Sequence, residues 1–188
     1  MKDERAKLTP ARAMLLAILF DLVKSGEFVS EFAAEKVAYF LQRFGAKSEF
    51  KLTFEPNFYG PYSGKVRRVL YYLNGSYIIG YSAMDKKPFE ELSIMMDAEE
   101  TVLAYLNQEP NLNFLGIVNK TKSFLSGFYS AFGLELLSTI DFLSIKFQTK
   151  DLDKILVYLK DWSNRKHTLF SNRKFIEQAI ARLEGHNL

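Results

Sequence analysis

The sequence predicts an α+β protein that is mainly α-helical, with about eight helices and a small antiparallel sheet of two to three strands. Three observations predict it. Apolar residues recur at helical spacing through most of the chain, as at Val66, Val69, Leu70 and Leu73. Strand-like alternation is confined to short stretches before residue 97. Strands and helices do not follow one another in the order that builds a parallel sheet. The 188 residues suffice for one domain, 1–188, with helices and the small sheet over 1–96 and a helical part packed on it over 97–188.

Thr9 reads as an N-cap with Pro10 at the first helical position, and the residues from Ala13 to Val23 are apolar around the whole axis. Such a helix belongs in the centre of a core. Ser30 caps a second helix with the stripe Val37, Phe40, Leu41 and Phe44, stopped by Gly45. Glu49 to Phe54 alternates polar and apolar and reads as a strand. A turn at Gly60-Pro61 leads to a helix over Val66–Leu73, closed by Gly75. Tyr77–Tyr81 and Phe89–Met96 read as two strands around a Lys86-Lys87-Pro88 turn.

Asp97 and Glu100 form a variant capping box for a helix to about Asn107, which Glu109-Pro110 breaks. Phe114, Ile117, Val118, Thr121, Leu125 and Phe128 mark the next inner face. Further helices follow on Leu136, Ile140, Leu143 and Phe147, then on Leu152, Ile155, Leu156, Leu159 and Trp162. Ile176, Ala179, Ile180 and Leu183 mark the last, ended by Gly185.

Composition narrows the function classes. The chain has no cysteine, which excludes disulfides and thiolate metal sites and fits a reducing cytoplasm. The apolar run Ala13–Phe20 stops at Asp21, short of the roughly 20 residues of a membrane span, and no secretory signal precedes it. His167 and His186 lack a histidine or cysteine at ligand spacing, so no metal is expected. No nucleophile elbow, P-loop or dinucleotide fingerprint is present. The acidic pairs Glu90-Glu91, Glu99-Glu100 and Asp151/Asp153 suit helix starts and solvated surfaces better than acid–base work. The expectation is a protein without catalytic residues or cofactor.

Charge is unevenly spread. The net charge is +3, yet residues 88–119 carry six acidic residues and no lysine or arginine. That stretch makes Glu90, Glu91, Asp97, Glu99, Glu100 and Glu109 a candidate acidic surface, with Tyr62 of the Phe58–Tyr62 turn as an exposed aromatic anchor. A second candidate is the outer face of the Val66–Leu73 helix. There Lys65, Arg67, Arg68, Tyr71 and Tyr72 interleave cations with rings, as single-stranded nucleic-acid binders do. Trp162 with Arg165, Lys166, Arg173 and Lys174 reads as core and helix-end packing.

Four blocks in order carry a family resemblance: Thr9-Pro10-Ala11-Arg12; Phe58 to Tyr81; Gly133 to Ile140; and Trp162 with Arg165-Lys166 and Leu169-Phe170-Ser171 leading to the closing helix. Together they resemble the C-terminal domain of DarG-type antitoxins, which partner DarT-type toxins that ADP-ribosylate single-stranded DNA. Tyr39-Phe40 and the Tyr59-Gly60-Pro61 turn are also similar to Panacea-type antitoxin domains. The first resemblance implies a non-enzymatic antitoxin domain that occludes the active site or DNA groove of a DarT-like toxin. The acidic set would then face that groove, in local imitation of DNA. The glycine-rich phosphate loops of the macrodomain found in full-length proteins of that type are not in this chain. The alternative is a nucleic-acid-binding regulator of winged-helix type, using the Lys65–Tyr72 face.

Overall fold

The computed structural model describes residues 5–81 and 87–188. It is mainly helical, with two separate two-stranded antiparallel pairs. Helix α1, Pro10–Lys24, begins where Thr9 Oγ1 accepts the Arg12 N–H and is buried continuously from Ala13 to Phe20. Helix α2, Glu31–Leu41, begins where Ser30 Oγ accepts the Ala33 N–H at 3.1 Å, and it is buried along its entire length. A π-helical turn over Gln42–Ala46 follows, in which Gly45 adopts φ 125°, and a short helix α3 spans Lys47–Phe50.

The strand expected over Glu49–Phe54 is therefore replaced by a helical turn that Lys51 ends in the left-handed conformation. The physical reason is one side chain. The Gln42 amide accepts the Leu52 N–H at 2.7 Å and donates to the Leu52 carbonyl at 3.1 Å, so it takes the place of a strand partner. Alternation of Phe50, Leu52 and Phe54 reflects packing on the core, as Phe54 shows by its edge-on contact with Tyr39 at 5.1 Å.

Strands β1, Glu55–Asn57, and β2, Gly60–Tyr62, form a hairpin that the sequence reading took for a simple turn. Its tip is Phe58-Tyr59, with Gly60-Pro61 inside the second strand. Pro56 faces Pro61 in the register, so neither residue donates to the ladder. Side chains supply the missing bonds. Lys36 Nζ donates to the Pro61 carbonyl at 2.7 Å, Trp162 Nε1 to that of Asn57 at 3.1 Å, and Arg165 to that of Phe58 at 3.3 Å.

Helix α4, Val66–Leu73, ends at Asn74, with Gly75 at φ 81° in the turn beyond it. Ile78–Ile79 (β3) pairs with Ser93–Ile94 (β4), a shorter pair than expected, and Lys86 of the expected turn lies outside the described residues. Leu92 adds a bridge to Val29, and the Pro88 carbonyl accepts the Phe32 N–H, which ties this segment to the start of α2. The capping box at Asp97 does not form: a 3-10 turn, Met96–Ala98, leads into helix α5, Glu99–Leu106, and Asp97 binds Arg5 at 2.7 Å instead.

Helices α6 (Leu112–Leu125), α7 (Ala131–Phe147), α8 (Leu152–Trp162) and α10 (Arg173–Gly185) match the periodicity, except that α6 stops before Phe128. Helix α9, Asn164–Leu169, occupies what reads in sequence as the turn holding His167, with Ser163 as its cap. The core sits around α1, which packs against α2, α5 and α6, while α7 bridges α2 to α8 and α10. No helix of the described residues is long and apolar enough to cross a membrane.

Candidate functional site

Helix α2 has no polar face, yet Glu31, Glu35 and Lys36 lie on it with almost no exposure. Each must be paired, because an isolated buried charge costs several kcal/mol. Glu31 accepts from Arg67 Nε at 2.8 Å, from Tyr62 at 3.3 Å and from Tyr81 at 3.1 Å. Glu35 accepts the backbone N–H groups of Ser63 and Gly64, each at 3.1 Å, together with the Ser63 hydroxyl. Burial still pushes its carboxyl above the usual range, against those donors and Lys36. Burial likewise pushes the Lys36 ammonium down to about 7, although Glu35 opposes it.

A second buried pair lies behind the hairpin. Glu135 of α7 accepts a forked pair from Arg165 at 2.5 and 3.1 Å and a further bond from Lys166 Nζ. Burial favours the neutral acid, but the two cations together hold the carboxyl below its ordinary value. Lys166 is fully buried and pushed down to about 8 by burial, partly offset by Glu135. Arg165 also covers the rings of Phe58 and Tyr59, at 4.8 and 5.0 Å from their centroids.

Between α2 and the hairpin tip lies an open cavity of about 240 Å³, whose walls include Glu31, Phe32, Asn57, Phe58, Tyr59 and Arg67. Its rim is aromatic. Tyr59 meets Phe58 and Phe89 edge-on at 4.7 Å, and Phe32 lies 4.7 Å from Phe89. Phe58 is 58% exposed despite this company.

The residues expected to form surfaces are distributed as follows. Lys65, just before α4, and Arg68, Tyr71 and Tyr72 on it are exposed, and Arg12 lies 3.9 Å over the Tyr72 ring. Among the described residues neither Lys65 nor Arg68 enters an ion pair. Arg67 belongs to the Glu31 pair. Tyr62 is half-buried on the same carboxylate. Of the acidic set, Asp97 pairs with Arg5 and Glu99 with Lys24, so cations from the start of the chain answer part of the acidic stretch. Glu90 accepts the Lys87 N–H at 3.2 Å, and Glu91, Glu100 and Glu109 are exposed.

Glu31, Glu35, Lys36 and Glu135 were not singled out from sequence. The available signal was an acid or lysine isolated within a helix otherwise apolar all round, as in Gly133-Leu-Glu-Leu-Leu. Among the described residues no group of three or more histidine or acidic side chains could hold a metal ion.

No family model matches the chain. It is 30% identical over 164 residues, 87% of its length and 44% of the other's, to a protein of Thermus aquaticus named DNA ADP-ribosyl glycohydrolase. Proteins of the same name from Mycobacterium bovis and Mycobacterium tuberculosis are each 22% identical over 147 residues, 77% of this chain and 41% of theirs. The chain thus spans less than half the length of the curated relatives it matches.

These names overturn two expectations. Each relative is named as a hydrolase, not as a non-enzymatic domain that binds and occludes a toxin or as a DNA-binding regulator, and the expectation of no enzymatic character falls with it. The absence of catalytic motifs from these residues says nothing of the remaining length of those relatives, of which the chain spans less than half. Through most of its own length, the chain is similar to proteins named DNA ADP-ribosyl glycohydrolase.

Proposed function

We propose that the chain serves the removal of ADP-ribose from DNA, as a module of a glycohydrolase that engages the modified strand. One observation carries the reading: the likeness to a named DNA ADP-ribosyl glycohydrolase runs through 87% of the chain. Geometry supplies a compatible surface. Lys65, which caps α4, and Arg68 are exposed beside Tyr71 and Tyr72 of that helix, and Arg12 of α1 stacks on the Tyr72 ring. Cations track phosphates while rings stack bases, which suits a single strand. Acting on DNA also gives the protein a place in the cytoplasm. A DarT-type ADP-ribosyltransferase is then its partner in the sense of writing the mark that such a hydrolase erases.

The experiment measures ADP-ribose released from an ADP-ribosylated single-stranded oligonucleotide by the protein that carries this chain. The doubly substituted Lys65→Glu, Arg68→Glu variant is expected to raise KM at least tenfold with kcat little changed, since it removes strand binding and leaves the chemistry in place. Release by the native protein with an unaltered KM in the variant takes α4 out of strand binding. No release at all overturns the proposal.

A further inference from the structure

We propose that the cavity beside the hairpin tip is a pocket for one flat nucleobase, a deepening that rests on the reading of the chain as a DNA-engaging module. Its size comes first. About 240 Å³ falls just below the roughly 300–1,000 Å³ of sites that take drug-sized ligands, so it admits a single base and not a whole dinucleotide. Its chemistry comes second. Phe32, Phe58 and Tyr59 line it together with Asn57, Glu31 and Arg67. A carboxylate has about four acceptor sites, of which Arg67, Tyr62 and Tyr81 take three. The remaining one is of the kind that meets an exocyclic amino group at a base edge.

Rigidity is the third argument. A phenylalanine that is 58% exposed gains little from the core, yet Phe58 is fixed from several sides. Arg165 stacks on its ring and donates to its carbonyl, Trp162 holds the neighbouring Asn57 carbonyl, and the Asn57 side chain accepts the Phe58 N–H at 2.6 Å. Arg165 is itself fixed by the fork to buried Glu135. A pre-set exposed ring at a pocket mouth lowers the entropy that stacking a ligand base would otherwise cost. Two sources share this chemistry: an unstacked base of the DNA strand and the adenine of ADP-ribose.

The test uses a single-stranded oligonucleotide containing 2-aminopurine, whose fluorescence falls when the base stacks, with native protein and the Phe58→Ala and Phe58→Trp variants. Native protein is expected to quench the probe. Phe58→Ala should lose the quenching and bind roughly five- to hundredfold more weakly, the loss of one base–aromatic stack, whereas Phe58→Trp keeps both. Because Trp preserves a ring at the same exposed position, retention there and loss in Ala separates stacking from misfolding. Displacement of the probe by free ADP-ribose supports the pocket with adenine as its occupant, and quenching that ADP-ribose leaves unchanged supports it with a strand base. An oligonucleotide bound equally by native protein and Phe58→Ala overturns the pocket and leaves the DNA-engaging module standing. Binding of neither oligonucleotide nor ADP-ribose by native protein overturns both.

Discussion

Glu135 is the residue on which the back of the hairpin depends. Its carboxylate is the shared acceptor for Arg165 and the fully buried Lys166, and Arg165 in turn covers Phe58 and Tyr59. Replacing it by Gln leaves a buried ammonium without its counter-charge. Glu135→Gln is expected to lower stability by about 3–5 kcal/mol, measured by urea denaturation. A loss below about 1 kcal/mol would mean that solvent reaches Lys166. Lys36 and Lys166 also set a pH dependence. Folding holds them at about 7 and about 8, while an unfolded lysine titrates near 10.4. Between those values the unfolded chain binds the extra protons, so stability rises with pH through this window. The buried tyrosines Tyr39 and Tyr129 have raised values and reverse the trend above about pH 10, where only the unfolded chain releases their protons. The melting temperature should therefore climb from pH 7 to about 9.5, and Lys36→Met should flatten the climb. A profile in Lys36→Met as steep as in the native protein would place the titration elsewhere.

At the scale of elements, the hairpin β1–β2 shows how a segment is placed by its surroundings. Gly60 has φ 106°, and a Cβ there would lie 3.2 Å from Thr139 Oγ1 and 3.4 Å from Lys36 Nζ. Gly60→Ala should cost about 1–3 kcal/mol by combining left-handed strain with crowding against α7. An unchanged midpoint of thermal unfolding would show that the hairpin can lift off the helices. The Gln42 clamp on Leu52 is the second device of this kind, and its removal in Gln42→Ala should speed amide hydrogen exchange at Leu52 without affecting α1. Protection unchanged at Leu52 would show another group holding that amide. Helix caps at Thr9 and Ser30 were legible because a cap is a local bond within three residues. The strand expected over Glu49–Phe54 was not realised, since its alternation arises from contacts with Tyr39 and the core and not from a ladder. The hairpin reads in sequence as a simple turn for a related reason: a glycine-proline pair suits a turn, and only α2 and α7 draw it into a strand.

Across the whole molecule, part of the charge asymmetry is answered by pairing. The acidic stretch after residue 88 meets Arg5 and Lys24 from the start of the chain, which leaves Lys65 and Arg68 exposed and outside any ion pair of the described residues. Affinity for single-stranded DNA should accordingly fall steeply with salt, with a slope reduced by roughly 0.7 for each phosphate-contacting cation removed from α4. Equal slopes for native protein and the Lys65→Glu, Arg68→Glu variant, by fluorescence anisotropy, would exclude that face. By itself the sequence determined the helical class, the central place of α1, the helix starts at Thr9 and Ser30 and the outward basic face of α4. All of these follow from periodicity and from bonds that close within a few residues. Only the tertiary structure decided that Glu31, Glu35, Lys36 and Glu135 are buried around the hairpin and that Phe58 stands fixed at a pocket mouth. Those facts depend on pairs up to 107 residues apart, such as Arg165 with Phe58, and no local pattern encodes which distant partner will neutralise a charge.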